Sequence, residues 1–402
     1  VTEKRVSLKV TPDRTLHVPD AAMIPAAPLL EPAPLVVLGN GRQPPVVAEP
    51  VVPGASTLFG PRGACLTSAE GPLWICDTGH HRLLGWSKLP EQDQKPAEWL
   101  IGQVDFTQEG RNGKQQTGPA TVNVPTGICA TGSGLAVADA WNHRVLLWHQ
   151  MPRGNNIPAD VVVGQKDFHS GLANHGNDCP SARSMHWPYG VAFENGKLLV
   201  ADTGNRRVLI WNSLPVENGQ PADLVLGQRD FTTRDENAGA EPGDMSMRWP
   251  HGICQWRGNL CIADAGNNRI MIWNGFPDAD GAAFSLALGQ KDRSKVDHNQ
   301  SLYWPRDCTL NMPYGIGAGR DWLMVADTAN SRLLGWCYSG LDTAGGASAL
   351  FGQHNFHEKG DNRWQPAVED SLCWPYGIQV KGGLAIVSDS GNNRVSIFRL
   401  AV

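Results

Sequence analysis

The chain has 402 residues, with 34 Lys and Arg against 39 Asp and Glu, a net charge of −5 and a pI near 6.2. That balance disfavours a partner held mainly through a phosphate backbone, and no apolar run approaches the roughly 20 residues of a membrane-spanning helix. Nine scattered cysteines without the spacing of a disulfide framework lean towards a reducing, cytoplasmic setting; a start at Val1 instead of Met leaves a processed exported form as the competing expectation.

Residues 1–33 read as an extended N-terminal arm. Val6-Ser7-Leu8-Lys9-Val10 alternates like a short strand, and Pro and Ala crowd residues 19–34. Such a segment either drapes over the domain or docks on a partner. The first repeating element is Val36-Val37-Leu38-Gly39. Its counterparts end at Gly102, Gly164, Gly227, Gly289 and Gly352. Between them one phrase recurs six times, at spacings of 62 or 63 residues, on Asp77, Asp139, Asp202, Asp264, Asp327 and Asp389. Each aspartate is followed five residues on by arginine: Arg82, Arg144, Arg207, Arg269, Arg332 and Arg394.

Each unit holds four short runs rich in β-branched and aromatic residues, bounded by Gly, Asn, Asp or Pro. In the third copy they begin at Pro188, Lys197, Arg207 and Asp223. These are strand and turn signals. Four strands repeated radially make a propeller blade. The last unit stops after its third strand, Val395 to Phe398, while a spare fourth strand stands at residues 36–39. The expected fold is therefore all-β: a six-bladed β-propeller over residues 34–402, with the N-terminal strand completing the last blade and removing the open edges.

The phrase Ala-Asp-x-x-Asn-x-Arg-Val followed by an aromatic, after a Pro-x-Gly-Ile strand, resembles the NHL repeat. The likeness covers about residues 34–402 and recurs in every unit. It implies a six-bladed NHL-type propeller. It implies little about activity, because propellers of this shape serve as interaction platforms, RNA binders, lyases and lactone hydrolases, so function has to come from the site.

Six like Asp…Arg pairs around a ring read as local staples of the strand-two-to-three turn. Asn142 suits a left-handed turn position, and each exposed pair is worth roughly 0–1 kcal/mol. Trp86, Trp148, Trp211, Trp273, Trp336 and Phe398 read as packing between blades. Cys65, Cys129 and Cys254 share one position, held elsewhere by Ala192, Gly317 and Gln379, where inner strands need a compact side chain.

Function belongs where the copies diverge. The connections into each Pro-x-Gly run about 20 residues, long for a compact domain. They open on a regular Gln-x-Asp-Phe hook, as at Gln103 to Phe106, and then become individual. In the middle of Pro-x-Gly stand Arg62, Thr126, Tyr189, His251, Tyr314 and Tyr376, an unlike ring expected at the channel mouth and read as the ligand-binding set. Ten of the 12 histidines map to the same face. His175, Cys179, His186, Cys308 and Cys373 are candidate ligands for zinc or another divalent metal.

Two readings follow. In the first, the protein is a non-catalytic scaffold docking a protein or ligand on the long-loop face or through the arm, with Trp187, Trp249, Trp304 and Trp374 as anchors. In the second, it is a metal-assisted hydrolase or lyase using His251 with Tyr189, Tyr314, Tyr376 and Arg62 for proton movement, in a ring that lacks a carboxylate. RNA binding ranks third, because the long loops also carry acids such as Asp235-Glu236 and Glu369-Asp370.

Overall fold

The computed structural model describes residues 26–44, 51–339 and 341–402, so most of the expected arm lies outside the described residues. Six antiparallel sheets form, one per repeat. In the third blade the strands are Val191–Glu194, Lys197–Asp202, Arg207–Trp211 and Leu224–Leu226, ordered from the channel outwards. Apart from strands, the described residues contain only short 3-10 turns.

Ring closure follows the sequence expectation. Val36–Gly39 pairs antiparallel with the third strand of blade six, with Val36 opposite Ile397 and Gly39 opposite Arg394. The preceding residues tie in a second blade: Ala27–Pro28 runs parallel to Ala349 and Leu350 as a fifth strand on blade five. Leu29 and Leu30 are buried behind it, and Leu30 bridges to Leu400.

The core is divided among the blade interfaces. Each of six apolar clusters joins two neighbouring blades. The aromatic that ends each third strand packs against the preceding blade: Trp211 joins Val145, Leu147 and Val163 of blade two. Its indole N–H donates to the Gln220 carbonyl at 3.1 Å, so burying the ring leaves no orphaned donor.

The Asp–Arg pairs correct the expectation of exposed turn staples. Asp139 and Arg144 are fully buried, as are their counterparts in the other blades. The Asp139 carboxylate accepts from Arg144 Nε at 2.7 Å, Asn142 Nδ2 at 2.7 Å and the Asn123 backbone N–H at 2.6 Å. The rest of the guanidinium donates to the carbonyls of Phe168, Gly118 and Thr121 at 2.6–3.0 Å. Each pair thus clamps both the loop entering its blade and the loop leaving it. The left-handed residue is also one later than expected: Asn142 closes a 3-10 turn and His143 adopts φ 53°.

Candidate functional site

Two further devices fix the long loops over the turns. The hook glutamine inserts its amide: Gln103 Nε2 donates to the carbonyls of His80, His81 and Gly110 at 2.7–3.1 Å. A loop asparagine then pairs with the turn asparagine, as in Asn174 with Asn205 and Asn237 with Asn267. The left-handed turn residue reaches the next blade, where His81 Nδ1 accepts from Val124 N–H, His143 Nδ1 from Trp187 N–H and Ser331 Oγ from Trp374 N–H. These contacts give several of the clustered histidines a structural task. Burial holds the His143 imidazole down at about 4, matching its role as a neutral acceptor.

At the axis, the ring of unlike residues comes together as the sequence proposes. His251 lies 4.2 Å from both Tyr189 and Tyr314, and Tyr314 lies 4.7 Å from Tyr376, centroid to centroid. The Arg62 guanidinium sits 4.6 Å above the Tyr376 ring and 5.7 Å from that of Tyr189. Thr126 takes a different role: it is buried, and its hydroxyl donates to the Tyr189 carbonyl at 2.8 Å, linking adjacent inner strands.

His251 is buried, and Nδ1 faces the Trp249 carbonyl at 2.8 Å; a carbonyl only accepts, so Nδ1 carries the proton. Burial pulls this imidazole down to about 3, aided by the Arg62 charge, and pushes the Tyr314 phenol up to about 12. The Tyr189 phenol is raised further for the same reason. Its hydroxyl is buried without a partner among the described residues, and Arg62 approaches it without reaching hydrogen-bond geometry.

Below the ring lies a central cavity of about 320 Å³. Its far end is lined by Glu194, Gln255 and Lys381, at the opposite ends of the inner strands. The carboxylate that the ring lacks therefore stands in the same channel, one strand length away. Burial raises the Glu194 carboxyl, and Lys381 partly offsets this.

On the loop side a second hollow of about 400 Å³ opens over Arg62 and Tyr376. Phe59, Trp141 and Trp374 form its walls, drawn from blades one, two and six. Phe59 and Trp141 escaped the sequence reading. A signal was present: Trp141 occupies a turn position held elsewhere by Gly79, Gly204, Gly266, Ala329 and Gly391. Gly60 is the other departure. The residue before the inner-strand proline is Val124, Trp187, Trp249, Met312 or Trp374 in the other blades. A Cβ built at Gly60 meets nothing within 4 Å.

The metal candidates do not converge. His186 and Cys373 occupy one repeat position on blades three and six, each offering its backbone N–H to the local aspartate. His175 Nε2 lies 3.2 Å from the Gly164 carbonyl, Cys179 is exposed, and Cys308 belongs to the loop entering blade five. Burial pushes the Cys373 thiol up to about 12, away from a ligating thiolate. Among the described residues, no three His, Cys, Asp or Glu side chains form a group able to hold a metal ion. None of the helices in the described residues is long and apolar enough to cross a membrane.

Comparison with known proteins agrees on the fold. A family model described as the NHL repeat matches residues 247–273, spanning the first three strands of blade four. The chain is a six-bladed β-propeller of NHL-type repeats. No curated protein matches its sequence. Among solved structures it is similar to Kuenenia stuttgartiensis hydrazine synthase at 12% identity and a TM-score of 0.48, covering 86% of this chain and 97% of that one. A virginiamycin B lyase from Staphylococcus aureus is similar at 11% identity and a TM-score of 0.43, with 86% and 81% covered. The WD40 propeller domain of Doa1 is similar at 8% identity and 0.43, with 94% and 96% covered. At these identities and TM-scores the likeness assigns no activity.

Proposed function

We propose that this propeller is a non-catalytic binding platform that docks a protein partner on the face carrying the long inter-blade loops. One observation carries the reading. The four exposed tryptophans of the described residues, Trp141, Trp249, Trp364 and Trp374, all stand on that face. Tryptophan gains most by leaving water and is the usual anchor of a protein interface. Three of the four lie in inter-blade loops and one in a strand-two-to-three turn, so a rigid, clamped scaffold presents them.

The metal-assisted alternative draws less support. His251 is the one imidazole in the ring, and its burial leaves a weak base near neutral pH. No thiol or carboxylate joins it at the mouth. The RNA reading has no new support, since Arg248, Arg293 and Arg363 on the loop face each pair with an acid.

The test is partner retention. Trp249→Ala combined with Trp364→Ala should abolish recovery of a co-purifying partner from the native source. Tyr338→Ala, on the opposite face, should leave it intact. Equal recovery from both variants, at unchanged thermal midpoint, would remove the reading.

A further inference from the structure

We propose that the hollow walled by Phe59, Trp141 and Trp374 is a binding site for a small aromatic carboxylate, with Arg62 as its anion contact. The inference deepens the binding reading above by adding a ligand class on the same face, and its test uses different residues.

Arg62 is the first ground. It is partly buried, yet its guanidinium makes no ion pair and no hydrogen bond to the described residues. The six repeat arginines show the contrast, each donating to a carboxylate and to loop carbonyls. Arg62 instead lies over the Tyr376 ring and near that of Tyr189, and the polar group it approaches is the Tyr189 hydroxyl. A guanidinium so placed is ready for a bidentate anion.

The lining supplies the second ground. It contains no Asp or Glu. His81, with Nδ1 accepting from Val124 N–H, carries its proton on Nε2 when neutral, which burial and Arg111 favour. Of the three hydroxyls in the lining, those of Thr78 and Ser390 donate to the Pro125 and Pro61 carbonyls and so have no proton left for a ligand, and Tyr376 carries the third. With the Arg62 guanidinium as the fixed positive charge of the lining and no carboxylate to oppose it, the hollow selects an anionic group. The buried, unpartnered Tyr189 hydroxyl lies beside Arg62, on the channel side of the same mouth.

Shape is the third ground. Phe59 and Trp141 are each 46% exposed and Trp374 51%, so three aromatic faces border a space of about 400 Å³. That volume fits a compact ring system and not a folded domain. The space exists because blade one has Gly60 where other blades carry Val, Trp or Met. Gly60 sits at φ 53°, and Val124, Trp187 and Trp374 adopt 50–56° at the same position.

Calorimetric titration of the full chain with indole-3-propionate and with its neutral primary amide tests the assignment. Wild type should bind the acid at least roughly tenfold more tightly than the amide, the scale of one charge-assisted contact. Arg62→Gln should bring the acid down to the level of the amide and leave the amide unchanged. Gly60→Trp, which copies the residue of three other blades, should abolish both. Trp374→Ala should weaken both, and it covers the case in which Gly60→Trp fails to fold. Equal binding of acid and amide by wild type overturns the proposal. So does wild-type affinity in Arg62→Gln, or no heat from the acid at millimolar concentration. A peptide ending in a free tryptophan that binds far more tightly than the acid would also overturn it, in favour of a polypeptide terminus. Absence of acid binding by wild type, with the Trp249 and Trp364 effect intact, would sink this inference alone.

Discussion

His251 stands where two demands meet. Its ring packs between Tyr189 and Tyr314, and the price of that burial is a neutral imidazole, held at about 3 by desolvation and by Arg62. In the unfolded chain it titrates near 6.5. Between those values the unfolded state binds more protons, so stability rises with pH there and is lost as pH falls. At pH 5 this one group should cost the fold roughly 2 kcal/mol relative to neutral pH. His251→Gln should flatten the fall in thermal midpoint between pH 6.5 and 4. A residual slope is expected from His143, which is also held low. An unchanged slope in the variant would show that the imidazole is not neutral in the fold.

Arg144 and Asp139 illustrate how burial changes a familiar interaction. A surface pair is worth little, whereas removing one member of a buried pair strands an uncompensated charge. At the level of the element, each pair is the point where a strand-two-to-three turn and two long loops are fastened together. Arg144→Met should cost about 3–5 kcal/mol in urea unfolding. It should also speed hydrogen exchange in residues 118–123 and around Phe168, whose backbone the arginine and aspartate hold. Adding Asp139→Asn should recover part of the loss, because the stranded carboxylate goes too. A single-variant cost below 1 kcal/mol would contradict the buried clamp. The glutamine hook and the Asn–Asn pair act on the same loops, which is how segments of about 20 residues present fixed side chains.

The whole molecule is a ring whose ends are far apart in the chain. Val36–Gly39 closes blade six, and Ala27–Pro28 adds to blade five, so the N-terminal segment spans two blades. Deleting residues 34–40 should expose the third strand of blade six and open the cluster containing Val36 and Leu38. Early melting or aggregation is the expected outcome in light scattering and thermal unfolding; an unaltered melt would refute the closure. The six interface clusters make each blade depend on two neighbours, so the loss should spread around the ring.

The repeat period, the four strands per unit, the closing strand and the mouth ring were all legible in the sequence. Each is written in local pattern or in position relative to the Asp…Arg phrase, and aligning the copies is enough to find Arg62, Tyr189, His251, Tyr314 and Tyr376. Burial was not legible in the same way. Asp139 and Arg144 read as surface residues because their own segment is a turn, and it is the loops folded over them from residues 118–123 and 168 that exclude water. Convergence was not legible either. His175, Cys179, His186, Cys308 and Cys373 share a face yet belong to loops entering three different blades. Phe59, Trp141 and Trp374, up to some 300 residues apart, meet over Arg62 because the ring closes and brings blade six beside blade one. The sequence by itself determined the architecture, since strand and turn preferences repeat locally. Only the tertiary structure decided which charges are dry, which polar groups lack partners and where a ligand-sized space remains, since each of these depends on neighbours that closure of the ring supplies.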